Sequence, residues 1–218
     1  MYFRLGIVAL LAGIIGGSVL SAVQLPFVTP LILEAERYEE TGTQNHAHEE
    51  GEASAPSQRT FLTLAANFLT AIAFALLLNA GLGLAGESGW RAGLLWGLGG
   101  FTAFSLAPSV GLPPELPGTP AGDLFERQVW WFGTAAATGA ALFLFGRFRK
   151  PLWVLLGVVL VALPHAIGAP DARGPGTAPD SLARTFVAMT LFANLLFWVT
   201  LGVASGVLQA RFVRGGKC

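Results

Sequence analysis

Residues 61–84 run for 24 positions without a charged side chain, and no other feature restricts the fold of this chain as much. A helix of that length rises about 36 Å, enough to cross a hydrocarbon core of about 30 Å. Residues 5–28, 92–110, 129–145, 152–167 and 185–208 form five further apolar runs. Where lipid offers the backbone no hydrogen bond, a spanning segment must satisfy its own amides, and runs near 20 residues do so as helices. The expected architecture is therefore an all-α integral membrane protein with about six transmembrane helices, forming one polytopic domain over residues 1–218. The fifth run has only 16 residues, about 24 Å if helical, and Pro164 interrupts its last turn.

Charge content agrees: 12% of residues are charged, against roughly 25% in soluble domains. That deficit excludes a soluble nucleotide-binding enzyme, a disordered regulator and a secreted disulfide scaffold. Thirteen basic and thirteen acidic side chains cancel, leaving no basic excess for nucleic acid. Cys218 is the one cysteine, so no intrachain disulfide forms.

The positions of the bases orient the spans. With both termini cytoplasmic, Arg4, Arg91, Arg147, Arg149, Lys150, Arg211, Arg214 and Lys217 fall inside. Arg37, Arg59, Arg127, Arg173 and Arg184 fall outside. Glu87 is then the one cytoplasmic acid, and the other twelve face out. The first run also resembles a signal peptide, but it stays apolar through Val28, and Gly13 with Gly17 has the small-xxx-small spacing of a packed membrane helix. The expected location is the inner or plasma membrane.

Long external connections distinguish the outer face. Residues 33–60 read as a flexible acidic and histidine-bearing loop, whereas residues 111–128 and 168–184 are proline-rich and semi-rigid. Gly81, Gly83 and Gly86 match a dinucleotide-binding pattern, but that fingerprint must open a helix after a strand, and here it ends a membrane span. The pairs Gly93 with Gly97 and Gly202 with Gly206 read as helix-packing contacts. Trp130 and Trp131 read as outer interfacial aromatics, and Trp198 as a packing residue. Gln24, Asn67 and Asn79 read as interhelical hydrogen-bonding groups.

Candidate cation ligands lie on the outer face. His46, His48, Glu49 and Glu50 combine imidazole nitrogen with carboxylate oxygen, a set suited to borderline divalent ions such as cobalt, nickel or zinc. The same run also reads as a solvated acidic loop. His165 follows the helix-interrupting Pro164, where freed carbonyls add oxygen donors. Glu115 is held among prolines, and Asp171 follows Pro170. No P-loop, HExxH motif or catalytic triad is present, so no enzyme is expected, and no resident cofactor either.

The chain resembles the CbtA family of predicted cobalt transporter subunits. Ala107-Pro108, the run Gly111-Leu-Pro-Pro-Glu-Leu-Pro-Gly118, Gln128-Val-Trp-Trp131 and Pro164-His165 followed by Gly168-Ala169-Pro170 carry the resemblance. The His/Glu loop and Arg59-Thr60 fit the same pattern. The resemblance implies a cobalamin-regulated uptake system, partnered with a small single-span, histidine-bearing CbtB subunit, and five spans where the runs number six. Together these readings describe a component of a divalent-metal uptake transporter, with a non-transporting scaffold for a partner subunit as the alternative.

Overall fold

The computed structural model describes residues 2–42, 56–170, 174 and 176–214. Regular structure among the described residues is helical: α1 (Tyr2–Val23), α2 (Thr29–Gly42), α3 (Pro56–Ala85), α4 (Trp90–Phe101), α5 (Ala107–Gly111), α6 (Leu124–Arg147), α7 (Pro151–Ile167) and α8 (Asp180–Gln209). Wider π-helical turns join α1 to α2 (Gln24–Val28) and α4 to α5 (Thr102–Leu106), and a third extends α8 (Ala210–Arg214). The first contains Pro26 and the second precedes Pro108, residues that cannot donate in the helical ladder. Each wide turn passes the ladder on one residue late, with the Thr29 amide reaching the Gln24 carbonyl and the Ala107 amide reaching that of Thr102.

As a result α1 and α2 run on as one helix over Phe3–Glu40. This corrects the expectation of loop from residue 33: residues 33–42 are helical, and α3 begins at Pro56. Leu, Glu and Ala are strong helix formers, and extending an existing helix requires no new nucleus. Residues 43–55 lie outside the described residues.

The chain divides into two compact units, one of residues 1–30, 43–98 and 192–218, the other of residues 31–42 and 99–191. In the first, α1 packs antiparallel on α3, and a Cβ added to Gly13 would lie 2.7 Å from the Ile72 backbone. Asn67 donates to Ser21 at 3.1 Å and to Gln24 at 2.7 Å across the same pair, as expected of interhelical polar groups. Between α4 and α8 the glycine pairs interlock, and a Cβ on Gly206 would meet Gly93 Cα at 2.9 Å. Gly89 N–H also donates to the Gly206 carbonyl at 2.8 Å. In the second unit α6 packs along α7, and Phe145 fills the space beside Gly157. Asp123 caps α6, accepting from the Glu126 amide at 3.0 Å.

Large apolar side chains face outward, including Leu69 at 70% exposure and Leu155 at 61%, whereas Ala71, Ala75 and Leu201 are fully buried. Small residues inside and bulky apolar ones outside suit a lipid solvent. Five helical runs are long and apolar enough to cross a bilayer: Phe3–Glu40, Ser57–Ala85, Trp90–Gly111, Leu124–Arg147 and Asp180–Val213. At 17 residues α7 spans only about 25 Å, a mismatch a bilayer accommodates at modest cost.

In the first unit, contacts between α3 and α8 advance in step, from Phe74 on Trp198, through Asn79 on Ser205, to Gly83 beside Gln209. The two helices are therefore parallel. Six crossings, the number expected from the apolar runs, require that α7 return the chain across the membrane.

Two outcomes test this packing. In a Cys218→Ser background, Arg149→Cys and Gly176→Cys should label with a membrane-impermeant maleimide from opposite faces; labelling from one face would mean α7 does not cross. Gly202→Val should abolish monodisperse protein on size exclusion, whereas Gly139→Val should not, because a Cβ there meets nothing within 4 Å.

Candidate functional site

The family-like motifs lie far apart in sequence but converge within the second unit, around Trp130. This residue, read from sequence as interfacial, is buried at 9% exposure. Its indole N–H donates to the Pro164 carbonyl at 3.1 Å, and the same oxygen accepts from Gly168 N–H at 3.1 Å. Pro164 lies inside α7, which runs on to Ile167, and both lone pairs of its carbonyl oxygen are used. The His165 ring meets Trp130 edge-on, with centroids 5.8 Å apart. Pro108 is fully buried. A Cβ on Gly111 would sit 2.5 Å from the Trp130 ring and 3.0 Å from Ala169 Cβ, so only glycine permits this approach.

Above this anchor lie the described residues of the two proline-rich connections. Leu116 is buried, and Pro117-Gly118 forms a turn closed by Thr119 N–H on the Leu116 carbonyl at 3.2 Å. Gly118 has φ +75°, the left-handed value that the third position of a type II turn requires. Thr177 N–H donates to the Gly118 carbonyl at 3.2 Å, joining the two proline-rich segments. Glu39 of α2 abuts the same turn, its Cβ 3.5 Å from where a Gly118 Cβ would be. The acidic end of α2 and both connections therefore meet at one place.

Glu115, between the prolines, pairs with Arg127 at 2.5 Å, and the two side chains are 22% and 23% exposed. Its carboxylate is fixed in position, and its charge is matched. Sequence reasoning counted Arg127 only as an external base; the partnership spans a loop and a helix start, which no local pattern encodes. His46, His48, Glu49, Glu50 and Asp171 lie outside the described residues. Among the described residues no three His, Cys, Asp or Glu side chains are grouped to hold a metal ion.

The Glu115–Arg127 pair should act as a brace. In a double-mutant cycle of Glu115→Gln and Arg127→Gln, thermal unfolding should give a coupling of about 1 kcal/mol. Additive losses would show that the pair holds nothing together.

No curated protein and no solved structure matches the chain. Among the described residues, five long apolar helices and the shorter apolar helix Pro151–Ile167 accord with a multi-pass membrane protein. Residues 3–210, nearly the whole chain, match the family model described as probable cobalt transporter subunit (CbtA), and the chain belongs to that family.

Proposed function

We propose that this chain is the membrane-spanning component of an uptake system that carries a divalent transition metal, cobalt, inward across the inner or plasma membrane. Family membership over residues 3–210 carries this reading, and a transporter subunit family is not an enzyme class. The meeting of α2 with the two proline-rich connections supports a mouth on the acidic face.

Cation capture begins at His46, His48, Glu49 and Glu50, whose mixed nitrogen and oxygen donors hold such an ion loosely enough to pass it on. The mouth consists of His165, Glu115 and Asp171. Because Arg127 matches the Glu115 charge, an arriving cation competes with the guanidinium for that carboxylate. Acidic residues at the outer face concentrate cations, an effect that weakens as salt screens it. An inside-negative potential then supplies about 4.6 kcal/mol per 100 mV for a divalent ion, from about 2.3 per charge. That equals roughly three decades of concentration, so no ATP-hydrolysing motif is required. A small single-span, histidine-bearing CbtB-type subunit is the partner. Nickel and copper bind such donors more tightly than cobalt, so selectivity comes from geometry or the partner.

Radiolabelled cobalt uptake into vesicles, with and without the partner, tests this reading. His165→Ala should lower uptake about tenfold or more at unchanged protein level, and deletion of residues 45–51 should lower it only at low cobalt. Uptake indistinguishable from empty vesicles under both conditions would leave the chain a scaffold. Unchanged uptake in both His165→Ala and Glu115→Gln would remove the mouth.

A further inference from the structure

Asn79 and Gln209 are buried at 1% and 2% exposure in the first unit, within spans that carry no charge at that depth. Among the described residues, the Asn79 Oδ1 and Gln209 Oε1 atoms have no hydrogen-bond partner. Each leaves an amide acceptor out of water, at a cost of about 1–3 kcal/mol unless something meets it. The Asn79 orientation is set by its surroundings: Nδ2 donates to the Ala75 carbonyl at 2.8 Å and to Ser205 Oγ at 3.1 Å. Turning the amide over would set oxygen against the Ala75 carbonyl, so the unpartnered atom is the oxygen. Gln209 lies one turn past Ser205 on α8, beside Gly83, one turn past Asn79 on α3; a Cβ on Gly83 would be 3.4 Å from Gln209 Nε2. The absence of a side chain at Gly83 leaves room at this level for the Gln209 amide.

The C-terminus of α3 gives the place its charge. Gly83 is in the last turn of α3, whose end is equivalent to about half a negative charge, and Gln209 lies beside it where α8 runs on into the π-helical turn Ala210–Arg214. Glu87, just past α3, is drawn in by Trp96, whose indole N–H donates to its carboxylate at 2.8 Å while its ring lies on Gly81. One turn beyond Gln209, Arg4 donates to the Phe212 carbonyl at 3.3 Å, so a cationic group already answers the outermost carbonyls. The deeper amide oxygens receive no such partner.

The geometry points to a binding site for a monovalent alkali cation between α3 and α8, formed by Asn79 Oδ1, Gln209 Oε1 and Ser205 Oγ. Oxygen-only donors without imidazole or thiolate disfavour a transition metal. Uncharged donors in an apolar bundle disfavour a divalent ion, whose desolvation they do not repay. A water molecule would satisfy the two acceptors but would gain less from the negative end of α3, and transporters place such ends against coupling ions. The site shares no residue with the mouth and does not rest on the cobalt reading, and its ion is distinct from the cargo.

Purified full-length protein in nanodiscs, melted in sodium, potassium or choline chloride at equal ionic strength, tests the assignment. Sodium or potassium should raise the melting temperature saturably over choline, by about 3–6 °C at roughly ten times the dissociation constant. Gln209→Met keeps the length of the side chain but removes its oxygen; it should fold, melt in choline no lower than the wild type, and show no alkali response. Asn79→Leu also loses the bonds to Ala75 and Ser205, so Gln209→Met decides the matter if that variant fails to fold. Equal melting in all three salts would overturn the site and indicate water or bare packing, as would an alkali response that survives Gln209→Met. A cobalt response abolished by Gln209→Met would assign the place to the cargo and overturn the alkali site.

Discussion

Close approach of helix backbones at glycine is the constraint on which this structure rests. In lipid, apolar side chains gain little by leaving the solvent, so helices associate through packing and a few polar contacts. Gly93 and Gly97 of α4 meet Gly202 and Gly206 of α8 where no Cβ has room, and an amide of the connection before α4 reaches across to Gly206. That contact fixes the height of α8 against α4, and Asn79, Phe74 and Gly83 fix its direction against α3. Within the second unit, both proline-rich connections meet the acidic end of α2 at the Gly118 turn.

Prolines do three different jobs in this architecture. Pro26 and Pro108 sit in or just past wide helical turns that absorb their missing donors and let the helices continue. Pro117 sets up the turn that brings Gly118 to Thr177, so a connection between spans becomes an ordered wall. Pro164 lies in the last turn of α7, and its carbonyl binds Trp130 and Gly168 together beneath His165. The same residue type thus permits, shapes or ends a helix according to what its neighbours can pair with.

Electrostatics divides the functional surface in a similar way. Glu115 is held by Arg127 and contributes position more than net potential, while Asp123 is used as a helix cap. Much of the outer acidity therefore belongs to α2 and to the residues that follow it. At the far end of α3 a negative potential comes from the backbone of its last turn as well as from Glu87. Acid content alone reveals the first kind and not the second.

The sequence by itself determined the all-helical membrane class and the packing stripes of its helices, because both are written in short-range patterns. Runs near 20 apolar residues select helices, small residues four apart mark contact faces, and Asn67 and Asn79 in apolar runs imply partners across an interface. Residues 33–42 were misread as loop because acidity suggests solvent, yet glutamates continue a helix already nucleated. Only the tertiary structure decided that Trp130 anchors Pro164 beneath His165, that Arg127 takes Glu115, and that Asn79 and Gln209 lie one turn apart along the same seam of α3 and α8. Those facts depend on which faces meet and in which direction the helices run, and residues 12, 34 or 130 positions apart carry no local signal of either.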